Sequence, residues 1–131
     1  MKNYLRLIFL FFFLVSVDQV FKFSFSATSI CNKNIAWSIP IAPSFFYFLW
    51  VVIIVILIYA FLNAKPIDQK YFLILIFSGA VSNMIDRIHL GCVVDYIDLK
   101  IFPVFNLADM YITFGIILLI IINLKFQMNP K

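Results

Sequence analysis

The stretch "VFNLADMYITFGIILLIII", Val104 to Ile122, decides how this chain folds. It is apolar almost throughout, yet it opens with Asn106 and Asp109. Pro103 precedes it and ends any extended segment. Asn106 stands where a helix N-cap belongs, and Asp109 follows three residues later, an Asn-x-x-Asp variant of the capping box. A carboxylate in a first helical turn also complements the helix dipole. Capping explains why a charge is tolerated there. It does not decide between a structural and a chemical role for Asp109.

The uncharged run that follows, Met110 to Leu124, has 15 residues. A spanning helix needs about 20. Two further runs are short in the same way: Leu7 to Val17, with 11 residues before Asp18, and Tyr71 to Ile85, with 15 before Asp86. Each reaches spanning length only by drawing an Asp into the membrane region. Phe45 to Leu62 is an uninterrupted run of 18 residues. The 131 residues are 65% hydrophobic with a mean hydropathy of +1.08, and only 12% are charged, too few to cover a water-soluble body. The expected fold is an all-α integral membrane protein with a small extracytoplasmic β-like or loop region. Four transmembrane helices are expected at about 3–22, 45–63, 71–88 and 107–125. Outer loops fall at 23–44 and 89–106, an inner loop at 64–70, and residues 1–131 form a single membrane domain.

Lys2 and Arg6 ahead of an apolar segment and "SFSATS" also fit a cleavable leader. Asp18 and the bulky Phe21, Phe23 and Phe25 interrupt that pattern, so an uncleaved first span is expected. The ten Lys and Arg are scattered singly, without a basic patch, so nucleic acid is not an expected partner. They act instead as topology markers. Four spans place Lys2, Arg6, Lys65, Lys70, Lys125 and Lys131 on one side and Lys22, Lys33, Arg87 and Lys100 on the other. The richer side is expected to be cytoplasmic, with both termini there. Cys31 and Cys92 then lie on the outer side, where a disulfide is possible, but they are read as bystanders. No metal-ligand spacing is present and no cofactor is expected.

With that topology Asp18, Asp86, Asp95, Asp98 and Asp109 gather near the outer interface, and only Asp68 lies inside. Ionisable residues at membrane depth are rare and usually functional. On the third helix Gly79, Asn83, Asp86 and Arg87 share one face at spacings i, i+4, i+7 and i+8. That face is either a polar helix seam with an Asp86–Arg87 surface pair or the inward wall of a site. Asp18 and Lys22, spaced i, i+4, can pair and are read as scaffold. "CVVDYIDL" suits a short strand, on which Asp95 and Asp98 face opposite ways. Periodicity does not say which of them faces a site. Two carboxylates sharing one proton can hydrolyse a peptide, one as base toward water and the other as acid. The single His89 and the Ser residues make no triad.

"VSVDQVFK", "CNKNIAWS", "SGAVSNMIDRIHLGCVVDYIDL" and "FPVFNLADMYITFGI" occur in this order among four spans. Together, from Asp18 to Gly115, they resemble lipoprotein signal peptidase (signal peptidase II). The resemblance implies a catalytic pair at Asp95 and Asp109, and so selects Asp95 over Asp98. It implies a substrate, a diacylglyceryl-modified bacterial prolipoprotein met in the membrane lipid, cut before its lipidated Cys. It implies substrate-binding or support roles for Asn32, Asn106, Asp18, Lys22, Gly79, Asn83, Asp86, Arg87, Val93, Phe105 and Ala108. The location implied is the bacterial cytoplasmic (inner) membrane, with the site near the outer leaflet. The family's usual Asn-x-Gly appears here as Asn32-Lys33-Asn34, where Asn is expected to tolerate a left-handed backbone. Its usual double glycine appears as Ser78-Gly79. The rival readings are a small transporter or proton-relay subunit, which spreads its acids through the membrane depth, and a non-catalytic membrane scaffold.

Overall fold

The computed structural model describes residues 2–34 and 43–128. The end of the expected first loop and the Ile35–Ser38 part of "CNKNIAWS" lie outside the described residues, as do both chain ends.

Four helices dominate: α1 (Lys2–Ser24), α2 (Pro43–Asn63), α3 (Ile67–Leu90) and α4 (Leu107–Met128). All four are long and apolar enough to cross a membrane. Their outward faces carry Phe, Ile and Leu side chains, such as Phe9, Phe48, Ile56 and Ile120, that water would not tolerate and lipid does. Helix α3 starts at Ile67 rather than at 71, so only 64–66 separate it from α2. Pro66, with φ −69°, stands immediately before the helix, and Asp68 occupies the first turn, where the dipole favours an acid. Polar Asp68, Gln69 and Lys70 hide this first turn from hydropathy, which rises only at Tyr71. At its other end α3 stops at Gly91, whose φ of +73° closes a left-handed C-cap on the Arg87 carbonyl.

The core is small and sits around α3, which packs most extensively on α4 and then on α1. Two glycines set the α3–α4 approach. A Cβ on Gly79 would collide with the Ala108 carbonyl oxygen and lie 2.7 Å from Ile112 Cγ1. One on Gly115 would lie 2.6 Å from Ile76 Cγ1 and 2.9 Å from the Phe72 carbonyl oxygen. Small residues replace the hydrophobic drive that lipid cannot supply between helices. Helix α2 is the outlier: it packs mainly on α3, and none of its apolar window is buried. Trp50 Nε1 donates to the Ala80 carbonyl at 3.3 Å and ties it to α3.

The end of the bundle where α1 and α3 finish and α4 begins carries two short strands, β1 (Ile30–Asn32) and β2 (Val93–Asp95). They pair antiparallel, with Ile30 opposite Asp95, Cys31 opposite Val94 and Asn32 opposite Val93. Past β2 an isolated bridge joins Ile97 to Phe105 and returns the chain to α4. Tyr96 stacks on Phe25 at 5.3 Å, so the segment after α1 packs on the segment after β2. The possible pairing of the two cysteines is realised here. Cys31 and Cys92 are joined in a disulfide between the two outer segments, with Cα atoms 5.4 Å apart. Antiparallel pairing brings the two together, and spacing along the chain did not register that.

Candidate active site

Helices α1 and α3 deliver buried charge to the strand-bearing end. Lys22 Nζ lies 2.8 Å from Asp18 Oδ2 and 2.8 Å from Asp86 Oδ2, with Lys22 only 3% exposed. It also donates to Asn83 Oδ1 at 2.8 Å. One cation thus serves two carboxylates and an amide. Lys22, an outer topology marker by its place in the sequence, faces the protein interior instead. Of the two readings left open for the α3 face, the Asp86–Arg87 surface pair is absent. Asp86 accepts from Lys22, from Gln19 Nε2 at 2.9 Å and from the Val94 N–H at 3.1 Å. Asp18 accepts from Ser82 Oγ at 2.6 Å and, through Oδ1, from the Ala108 N–H at 3.0 Å. The second contact fixes an otherwise orphan donor in the first turn of α4. Buried charges of this kind require such complete pairing.

The capping box at the start of α4 forms as the sequence suggests. Asn106 Oδ1 accepts from the Asp109 N–H at 2.9 Å, and Asp109 Oδ2 accepts from the Asn106 N–H at 3.2 Å. Asn106 is fully buried and does more than cap. Its Nδ2 donates to Asp95 Oδ1 at 2.7 Å and lies 3.1 Å from Asn83 Oδ1. The backbone of Asn106 therefore holds one carboxylate and its side chain holds the other. Asn83 Nδ2 donates to Asp109 Oδ1 at 2.8 Å, and Asn32 Nδ2 donates to Asp95 Oδ2 at 3.0 Å.

Asp95 and Asp109 line the same open cavity of about 600 Å³. Asn32, Asn83, Arg87, Val93 and Phe105 share it, and Leu99, Phe102, Val104, Met110 and Phe114 give it an apolar side. Burial pushes the Asp95 carboxyl up to about 6; the Asp109 charge adds to this, and the Asn32 and Asn106 amides oppose it. Asp98 takes no part: it lies exposed, bonded to Lys100 Nζ at 2.6 Å, and that partner holds its carboxyl below the usual range. Among the described residues no group of His, Cys and acidic side chains could hold a metal ion. A second cavity of about 380 Å³ lies between α1, α2 and α3, lined by residues such as Leu7, Phe11, Leu57 and Phe77, and no carboxylate reaches it.

The remaining sequence candidates surround this centre. Gly79 and Ala108 form the tight α3–α4 contact beside it. Arg87 Nη2 donates to the Asn34 carbonyl at 3.0 Å, and its guanidinium stacks over Phe46 at 4.4 Å. The Asn32–Asn34 turn closes differently from expectation. Among the described non-glycine residues only Lys100 has a positive φ, so Asn34 is not left-handed. Instead the Asn34 N–H donates to Asn32 Oδ1 at 3.0 Å, an Asx turn that needs no glycine. Sequence reading missed Gln19, which donates to Ser82 and Asp86. Its position one residue after Asp18, in a segment otherwise apolar, was the available signal. It also missed the cysteines, although each directly precedes a site segment, Asn32 and Val93.

Fold and site together define a multi-pass membrane protein with a fixed pair of carboxylates at one end of its helix bundle. The sequence profile described as Signal peptidase (SPase) II matches residues 5–125. Lipoprotein signal peptidases of Staphylococcus aureus strains RF122 and Newman are each 41% identical over 115 residues, covering 79% of this chain and 68% of theirs. Two solved structures, each described as a bacterial membrane enzyme determined by the in meso method, superpose at 33% identity. The one at 2.3 Å resolution has a TM-score of 0.87 and covers 96% of this chain and 92% of its own. The one at 1.9 Å has a TM-score of 0.81, with 92% and 93% covered. The chain belongs to the signal peptidase II family, a family of bacterial membrane peptidases.

Proposed function

We propose that this peptidase removes signal peptides from bacterial prolipoproteins, cutting before a Cys that already carries diacylglycerol, with Asp95 and Asp109 as its catalytic pair. The observation that carries the proposal is Asn106, which binds both carboxylates at the rim of one cavity. A water between them loses a proton to Asp109 as its oxygen attacks the scissile carbonyl carbon. Asp95, protonated, donates to the carbonyl oxygen. The tetrahedral diol then collapses: the diol proton returns to Asp95, Asp109 hands its proton to the leaving nitrogen, and the C–N bond breaks. Asp95 suits the acid role because burial keeps its proton up to about pH 6. Asn32 and Asn83 hold the outer lobes of the two carboxylates and aim them into the cavity.

The apolar side of the cavity suits an acyl chain arriving within the bilayer. The site end is placed at the outer leaflet and both termini in the cytoplasm. Burial of Lys22 supports this reading, because it removes a basic residue from the outer side of the charge comparison. Asp95→Asn and Asp109→Asn are each expected to abolish cleavage of a diacylglyceryl-modified prolipoprotein in vesicles while thermal unfolding stays cooperative. An unlipidated twin of the substrate should be left uncut by the unaltered protein. Undiminished cleavage by either Asn variant would overturn the pair.

A further inference from the structure

We infer that the Cys31–Cys92 disulfide is a positioning crosslink that holds Asn32 against Asp95, so that its reduction disables the peptidase without dismantling the bundle. The inference rests on the reading of Asp95 as catalytic. Strand β1 has three residues, of which Ile30 and Cys31 are exposed, and it packs mainly on β2. A ladder this short is marginal by itself. Register matters here because a slip of one residue turns every side chain to the opposite face. Asn32 would then leave Asp95, which it now reaches at 3.0 Å. The disulfide joins the residue just before Asn32 to the residue just before β2, and it forbids that slip. Among the described residues, Arg87 donates to the Asn34 carbonyl just past β1, and Phe25 stacks on Tyr96 ahead of it, but neither contact fixes the strand register.

Cys31 is exposed, so a dithiol can reach the bond. Dithiothreitol attacks it, closes to its own cyclic disulfide, and leaves Cys31 and Cys92 as two thiols; two electrons and two protons pass to the protein sulfurs. The test is one cleavage assay in vesicles on a diacylglyceryl-modified prolipoprotein. It compares oxidised protein, dithiothreitol-treated protein and the Cys31→Ser/Cys92→Ser double variant, each with Asn32 and with Asn32→Ala. Breaking the crosslink should lower kcat by about tenfold or more, the scale of effect that loss of positioning has on a reacting group. It should also move the alkaline limb of kcat/KM upward, as Asn32→Ala does, because the amide that opposes the rise of Asp95 is lost. In the Asn32→Ala background it should cost nothing further, since coupled residues are not additive. Unchanged rate and limb after verified reduction, or fully additive losses, would overturn the crosslink's role. Should the double variant fail to fold, dithiothreitol on the folded protein decides. Activity in an Asp95→Asn control would instead overturn the catalytic pair, a separate outcome.

Discussion

Asp95 carries its proton to about pH 6, against an ordinary value of 3.8. The folded protein therefore binds a proton that the unfolded chain releases between those values. Stability from neutral Asp95 is fully present below about pH 4 and is lost as pH rises through about 6. The apparent Tm in detergent should fall across that window, and Asp95→Asn should flatten the fall. If Asp95 is the acid, kcat/KM should decline above about pH 6, while Asp98→Asn leaves the profile untouched. Lys22 offers a different test. Lys22→Met strands Asp18 and Asp86 as unpaired buried acids, a change that costs about 3–5 kcal/mol. Chemical unfolding should register it, and activity should fall with it, because Asn83 and the Ala108 N–H connect that network to Asp109. At this scale the sequence was legible where spacing fixes the geometry: Asn106 and Asp109 form their cap. It was silent where partners come from distant elements. Nothing local tells that Asp86 turns to Lys22 and not to Arg87.

Helices α3 and α4 meet through Gly79 and Gly115, and the two glycines are not equivalent. Gly79→Ala drives a methyl into the backbone of Ala108, which cannot rotate away and lies next to Asp109. Gly115→Ala meets the Ile76 side chain first, at 2.6 Å, and lies two turns farther from the site. Overpacking of this kind costs about 1–3 kcal/mol. Both variants should unfold earlier, and Gly79→Ala should lose much more activity at equal stability. The helices themselves were legible because apolar runs of near-spanning length admit few alternatives. The third began four residues early because three polar residues in its first turn look like loop when only hydropathy is counted. The strand after α3 was legible in "CVVDYIDL"; its partner "ICN" was not, because three residues carry no periodicity and the pairing spans more than sixty positions.

For the molecule as a whole, the proposed orientation predicts that Asn63→Cys, placed in the Cys31→Ser/Cys92→Ser background, reacts with a membrane-impermeant maleimide only from the cytoplasmic side. Labelling from the outside in intact cells would reverse the topology. The arrangement of charge also bears on how the chain enters the membrane. Asp18 and Lys22 belong to α1, while Asp86 and the Ser82 and Asn83 partners belong to α3. Released singly into lipid, α1 could still pair Lys22 with Asp18, but Asp86 on α3 would lack its cation, and charged residues resist insertion. Helix α2, with no buried residue in its apolar window, needs no such companion. Closing the Lys22–Asp86 pair therefore requires α1 and α3 to meet in the bilayer, whereas α2 can settle there by itself.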